Sequence, residues 1–410
     1  MSNYDFTEMS STARMESLEI DVDITSGELN DGNVIHIYEL HESSTSGDSG
    51  VDSDFDECGG SSSSGSSSSP TLKRPRDGQE LLRDVGSLLD GNGIGNALVG
   101  EGALAIMGVP IIPRCIAFMI SDGEIDQAAK VLRDAQYPEC KDLDQLATNP
   151  ENFKSRIRCH ALTGTATGNH PIPAHHFHAD RRYPEGPNES RKKTRGVFLY
   201  CASQMLAPGL PMPPARPPPP EDPYYLVTSD KRLYRPSFRG RGGGGGIMLN
   251  CWGRQSTKSY PVKMLHPARY VENLVYLMLR DIGYSACNGW KTEFDCMLAC
   301  SRLLPAPAPT RALAAIDVGL EDVPEGPIRD WIGLHNSEWA KNQVAICIRF
   351  AALHREMKQS GQLGEPLMTP QEATYGRPQY IENWLMNMEE GKPPSFHRAL
   401  EASGWTCQLM

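Results

Sequence analysis

Residues 96–136 decide the fold of this chain; they read NALVGEGALAIMGVPIIPRCIAFMISDGEIDQAAKVLRDAQ. The stretch opens with a short apolar run and a small helix that ends at Gly108. Residues 111–120 are rich in β-branched side chains and predict a buried strand. Residues 125–132 then repeat apolar side chains at helical spacing. Alternating helices and strands predict a mixed sheet with flanking helices, in the α/β (α+β) class.

The rest of the body extends this pattern toward the C-terminus. Two further apolar runs predict strands, at residues 196–201 and 224–228. Three apolar or amphipathic stretches predict helices, at residues 266–282, 292–304 and 337–359. We therefore expect a small mixed sheet followed by helical C-terminal additions.

Composition divides the chain into a tail over residues 1–78, an α/β domain over 79–313 and a helical extension over 314–410. Residues 1–70 contain 15 acidic residues and one basic residue, which gives −14, whereas the whole chain carries −11. The acidity therefore belongs to the tail, and the body is nearly neutral. Because this Ser-rich tail cannot bury enough apolar surface to offset chain entropy, we expect it to be disordered.

Composition also bounds the class of protein. The chain has 38 Gly and 32 Pro, and the Pro-rich residues 207–223 and Gly-rich residues 239–246 predict long insert loops in the α/β domain. No apolar run is long enough for a membrane helix, and the N-terminus lacks a signal-peptide pattern. Eleven scattered cysteines argue against a secreted disulfide scaffold. We expect a cytoplasmic or nuclear protein of eukaryotic, fungal-like type.

Residues 96–136 resemble the start of the nucleotidyltransferase superfamily, especially its small antitoxin and aminoglycoside type. Members open with an apolar strand, a Gly-Gly or Gly-Ser turn and a helix that ends near a glycine. A strand with a basic residue and two carboxylates one residue apart follows. Here Gly100 takes the first turn position, Glu101 the second and Arg114 the basic position. The resemblance implies a nucleotidyltransferase-like fold for the α/β domain.

The carboxylate pair that the resemblance implies is absent, because Cys115 and Ala117 occupy its two positions. Carboxylates one residue apart on a strand hold the Mg²⁺ ions that activate the nucleotide. Magnesium prefers oxygen ligands, which a thiol and a methyl group do not supply. We therefore predict no catalytic residues and no cofactor. The chain is interpreted as a non-catalytic binding or regulatory protein, a pseudoenzyme.

Two alternatives stay open. An active nucleotidyltransferase would need relocated acids: Glu101, Asp180 and Asp230 would have to converge within ~4–5 Å of a shared Mg²⁺ position beside Gly100. A third interpretation is a metal- or nucleic-acid-binding adaptor that uses residues 175–180 and residues 231–241.

Cysteine and histidine crowd into residues 159–180, which read CHALTGTATGNHPIPAHHFHAD. His175, His176 and His178 are candidate transition-metal ligands. On a strand, His176 and His178 would share one face and His175 would lie opposite. The spacing fits no zinc-finger pattern, so exposed or packed histidines are the favoured interpretation and no metal is predicted.

Basic and aromatic residues alternate in residues 231–241, which read KRLYRPSFRGR. Such a mix can follow a phosphate backbone and stack on bases. Because the body of the chain is nearly neutral, we do not expect it to bind nucleic acid.

The acidic tail carries candidate motifs for protein partners. Ser49 and Ser53 lie in DSGVDS, the spacing of a phosphodegron that WD40-type F-box ubiquitin ligases recognise. Two phosphates there would add negative charge for a basic surface to bind. Residues 34–37 (VIHI) resemble a SUMO-interacting motif, which binds by strand addition. A plain acidic linker is the alternative.

Two further motifs bear on localisation. Lys73, Arg74 and Arg76 resemble a short nuclear-import signal. Cys407 begins CQLM, which resembles a prenylation box whose final Met favours farnesyl. One lipid chain gives only weak, reversible membrane binding, so a peripheral membrane location is expected only if Cys407 is farnesylated.

Overall fold

The computed structural model describes the body of the chain in segments. They are residues 78–143 without 112 and 114, then 159, 171–180, 182–183, 196–235, 252–284, 286–303, 316–335, 339–368 and 385–386. Ser49, Ser53, residues 34–37, Lys73, Arg74, Arg76, Arg114, His160, His170 and Cys407 lie outside the described residues. Within them, no helix is long and apolar enough to cross a bilayer.

The N-terminal half of the described body alternates between helices and strands, as predicted. The elements are helix α1 (Gly78–Gly91), strand β1 (Asn96–Val99), helix α2 (Gly100–Met107), strand β2 (Cys115–Ile120) and helix α3 (Ile125–Asp134). Helix α2 ends at Gly108, whose φ of 116° is the left-handed conformation that glycine adopts most easily.

Strand β2 is shorter than the predicted strand over residues 111–120, since it begins only at Cys115. Pro110 and Pro113 precede it and have no backbone N–H to donate. Strand β2 pairs on both sides, with β1 and with a later strand, so proline would interrupt its ladder. The prolines therefore delay the start of the strand.

A six-stranded mixed sheet forms the centre of the described body. Its other members are β3 (His175–His178), β4 (Gly196–Cys201), β5 (Tyr225–Val227) and β6 (Lys263–Leu265), in the order β3-β4-β2-β1-β6-β5. Strand β2 runs antiparallel to β1 and parallel to β4, whereas β3 and β5 are antiparallel edge strands. The mixed sheet with flanking helices confirms the predicted fold class.

Helices dominate the chain after the sheet. They are α5 (Pro267–Arg280), α6 (Ala286–Cys300), α7 (Pro327–Gly333) and α8 (Trp339–Gln359), while the short helix α4 (Ala202–Met205) lies earlier, between β4 and β5. Pro267 occupies the first turn of α5, as its fixed φ favours. Helix α6 begins six residues before the predicted start at residue 292, because buried Gly289 and Trp290 gain tertiary packing that outweighs the low helix propensity of glycine.

The C-terminal part is helical, with one addition that the sequence did not predict. Strand β8 (Ile316–Gly319) pairs in parallel with the two-residue strand β7 (Ser301–Arg302). Helices α7 and α8 pack against α5, which in turn packs against α6. Helix α5 is buried on almost every side, because it lies between the sheet domain and these additions.

Candidate functional site

The turn between β1 and α2 lies beside Ala117, at the position where the nucleotidyltransferase resemblance would place the second carboxylate. Gly100 has a φ of 65°, and a β-carbon built there would lie 3.9 Å from the Ala117 side chain. The register of the sheet explains this closeness, since Val99 pairs with Ala117. The structure thus places Gly100 next to Ala117.

Cys115 and Ala117 occupy neighbouring positions on one face of β2, because side chains on a strand alternate. The adjoining strand β4 pairs Gly196 with Cys115 and Phe198 with Ala117. Strand β4 reads GVFLYC and carries no acidic residue. These two strands therefore offer no carboxylate ligand for magnesium.

One buried carboxylate beside Gly100 comes from a residue that the sequence analysis missed. Glu293 lies on α6, is 4% exposed, and its Oε1 is 3.8 Å from a β-carbon built on Gly100. The pKa of Glu293 is raised to about 7, mainly because the side chain is buried; the hydrogen bond from Tyr270 opposes this rise, and the nearby charge of Glu101 adds to it. The sequence signal that could have identified Glu293 is an acidic residue on the same helix face as the apolar residues Trp290, Phe294 and Met297, which are buried.

Tyr270 joins this carboxyl to the helix N-terminus. Its hydroxyl donates to Glu293 Oε2 and accepts a hydrogen bond from the backbone N–H of Gly100 at 3.1 Å. Both side chains are buried. The first N–H group of α2, which in an open turn would be available to a phosphate, is therefore already paired inside the protein.

The three relocated acids of the active alternative do not meet at this position. Asp180 follows β3, where its carboxylate lies 3.8 Å from His178 Nδ1. Asp230 follows β5 and pairs with Arg232 at 2.9 Å. Strands β3 and β5 are opposite edges of the sheet, five strand spacings of about 4.8 Å apart. Only Glu101 of the three lies near Gly100.

A second group of chemically reactive side chains lies at the β3 edge of the sheet. The ligand atoms of Cys140, Cys159, His176 and His178 all lie within 4.8 Å of one another. Among the described residues, this is the one group of three or more Cys, His, Asp or Glu side chains with the geometry to hold a metal ion. Cys159 Sγ lies 3.8 Å from His176 Nδ1.

Strand pairing explains why three of these residues meet. An antiparallel bridge joins Glu139 to Phe177, so Cys140 lies opposite His176. Two backbone hydrogen bonds of 2.8 Å fix this register, from Cys140 N–H to the His176 carbonyl and from His178 N–H to the Pro138 carbonyl. Alternation then places Cys140, His176 and His178 on one face.

His175 lies on the opposite face, as the sequence predicts. Its Nδ1 lies 2.9 Å from Glu139 Oε1, and its Nε2 lies 3.3 Å from Asp126. Arg133 also binds Glu139 and is the main reason that the pKa of this carboxyl is lowered. His175 therefore belongs to a surface network of charges and not to the cluster of cysteines and histidines.

Burial and mutual contact govern the protonation of the cluster. His176 is completely buried, and burial lowers the pKa of its imidazole, which favours the neutral form. The thiol of Cys159 and burial both raise the pKa of Cys140. Contact with Cys140 raises the pKa of His178. Cys140 was missed by the sequence analysis because 18 residues separate it from Cys159.

The basic residues around residues 231–241 are partly engaged within the protein, in the portion of that segment that is described. Arg232 binds Asp230 and the Pro220 carbonyl. Arg254, from the neighbouring segment, donates to the Lys231 carbonyl. These contacts reduce the positive charge available to a phosphate backbone.

Comparison of this chain with family models, with curated proteins and with solved structures finds no match. The resemblance to nucleotidyltransferases therefore stays a prediction that depends on residues 96–136.

Proposed function

We propose that the body of this protein is a non-catalytic binding or regulatory module with a nucleotidyltransferase-like arrangement of elements. The observation that carries the proposal is the hydrogen bond from Gly100 N–H to the Tyr270 hydroxyl. At the position where a phosphate would meet the helix N-terminus, a tyrosine from α5 already accepts the hydrogen bond. An anion would have to displace Tyr270 and approach the Glu293 carboxyl.

The chemistry beside this turn supports the same proposal. Two-metal catalysis needs several oxygen ligands around two divalent ions about 4 Å apart. The strand positions hold the Cys115 thiol and the Ala117 methyl group, and the nearest buried acid is hydrogen-bonded to Tyr270. A carboxyl with a pKa of about 7 is also partly protonated at neutral pH, which weakens it as a magnesium ligand.

A nucleotide-transfer assay tests the proposal. The full chain is incubated with Mg²⁺ or Mn²⁺ and each labelled nucleoside triphosphate, with and without added protein and RNA acceptors. We expect no transfer above the background of a blank reaction. Transfer that is lost in Glu293→Gln or Glu101→Gln, but kept in Glu272→Gln, would overturn the proposal. Glu272 is a matched control because it lies on α5 and binds Arg269.

We also propose that protein partners contact the acidic tail, through Ser49 and Ser53. Asp48 and Asp52 directly precede the two serines. Phosphates on both serines would therefore form, with these acids, a strongly negative segment that a basic surface could bind. The test is binding of a doubly phosphorylated peptide of residues 44–57 to WD40-type F-box propellers. Tight binding that disappears without the phosphates supports this proposal. Equal binding of both peptides contradicts it.

A further inference from the structure

We propose that Cys140, Cys159, His176 and His178 form a structural zinc site. Their four donor atoms come from three separate places in the chain and meet within 4.8 Å. Donor atoms around a tetrahedral zinc lie about 3.3–3.8 Å apart, given Zn–S and Zn–N bonds of about 2.3 and 2.0 Å. A modest contraction of the cluster would therefore place one ion at bonding distance from all four.

The donor set selects zinc over the hard cations. Two thiolates and two imidazoles contain no oxygen, so Mg²⁺ and Ca²⁺ gain nothing there. Binding of Zn²⁺ forms two Zn–S and two Zn–N bonds, and each thiol loses its proton to solvent. Two thiolates then balance the charge of one Zn²⁺. The product is neutral overall, which lowers the cost of burying it.

The surroundings hold the donors in place. The N–H of Cys159 donates to Asp142 Oδ2 at 2.8 Å, and this contact orients the backbone that carries the thiol. An Asp180 carboxylate oxygen lies 3.8 Å from His178 Nδ1. Many metal-bound histidines likewise have a carboxylate near the ring nitrogen that does not bind the metal. His176 presents Nδ1 to Cys159 while its Nε2 lies against Gly196.

Four protein ligands and deep burial indicate a structural role. A catalytic zinc keeps one position for water or substrate, whereas a closed Cys₂His₂ set leaves none. Cys140, Cys159 and His176 are buried and His178 is only partly exposed. The ion would tie residue 159 to β3, an edge strand of the main sheet. It would thereby link Cys140 to His176, which are separated by more than thirty residues in the sequence, and so close the loop between them.

Elemental analysis of the full chain, purified without chelator and without a histidine tag, is the first test. We expect one zinc per chain. The variants Cys140→Ser, Cys159→Ser and His176→Asn should lose most of it. His175→Gln and Cys201→Ser are matched controls that should keep one zinc, because His175 lies on the opposite face and Cys201 ends β4 away from the cluster.

Cobalt substitution keeps the test decisive even if the ligand variants fail to fold. The wild-type protein reconstituted with Co²⁺ should show tetrahedral visible bands and near-ultraviolet charge-transfer bands of two thiolates. Metal uptake by the metal-free protein should release at least two protons per ion, one from each thiol. Wild-type protein with no zinc, no cobalt–thiolate bands, or a Cys140–Cys159 disulfide would overturn the proposal. Zinc retained equally by the three ligand variants would do so too.

Discussion

The hydroxyl of Tyr270 on α5 donates a hydrogen bond to the carboxyl of Glu293 on α6, and both side chains are buried. The same hydroxyl accepts from Gly100 N–H, so a single oxygen atom links two helices to the turn after β1. This link is the basis of the proposed non-catalytic role, because it already pairs the first N–H group of α2 inside the protein.

Replacing Tyr270 with Phe should destabilise the protein by about 1–3 kcal/mol, since it leaves two buried polar groups without their partner. The aromatic ring and its packing stay, so the loss isolates the hydroxyl. Urea denaturation at pH 7 measures it. Tyr224→Phe is the control, because Tyr224 is partly exposed and should change stability by less than about 0.5 kcal/mol. Equal stability of the two variants would contradict the bonding described here.

Glu293 should make stability fall as pH rises. Its pKa is raised from 4.5 to about 7 in the folded protein, so its contribution is fully present below pH 4.5 and is lost as pH rises through 7. A rise of about 2.5 units corresponds to about 3 kcal/mol. Glu293→Gln cannot ionise and should escape this loss.

The measurement is the difference in unfolding free energy between wild type and Glu293→Gln, taken from pH 5 to pH 8. Other titrating groups, His178 among them, cancel in this difference. We expect the variant to gain up to about 3 kcal/mol relative to wild type over that range. A difference that stays flat with pH would show that Glu293 is ionised in the folded protein throughout.

Periodicity predicted most of the secondary structure because it depends on local patterns. The stripe of apolar residues in α5 and the apolar run that contains β2 were sufficient to identify both elements. The start of α6 was missed because the burial of Trp290 is a tertiary effect, and its indole N–H binds Asp281 in the preceding turn. Local propensity contains no information about that bond.

The sequence placed Cys159, His176 and His178 in one stretch of potential ligands, but it did not include Cys140. His176 and His178 are two residues apart on a strand, so alternation alone places them on one face. Cys140 joins them only through the bridge between Glu139 and Phe177, which pairs residues 38 positions apart. Glu293 was missed for a similar reason, since its partners Gly100 and Tyr270 are distant in sequence.

Gly100→Ala should cost about 1–2 kcal/mol through backbone strain and not through a clash. The φ of 65° is unfavourable for any residue with a β-carbon. The nearest atoms to such a β-carbon are 3.8 and 3.9 Å away, which is ordinary contact. Gly91→Ala is the control: it ends α1 with no neighbour within 4 Å, so alanine should be neutral or stabilising there. Thermal denaturation compares the two, and equal effects would contradict the positive φ at Gly100.

The pair of Lys263 and Asp90 should be sensitive to the removal of one partner. Lys263 is completely buried on β6, and its ammonium group binds Asp90 at the end of α1. Asp90 also accepts from Tyr260 at 2.7 Å and from Asn96 at 2.6 Å. Lys263→Met keeps most of the volume but leaves a buried carboxylate without its cation, so we expect a loss of about 3–5 kcal/mol.

The double variant Lys263→Met with Asp90→Asn distinguishes charge from packing. Removing the carboxylate as well removes the unpaired charge, so the double variant should be more stable than Lys263→Met alone, as measured by urea denaturation. Lys130→Met, which breaks an exposed pair with Asp134, should change stability by less than about 0.5 kcal/mol. If the double variant were less stable than Lys263→Met, the loss would come from packing at β6. The pair would then contribute packing beside β6 rather than charge compensation.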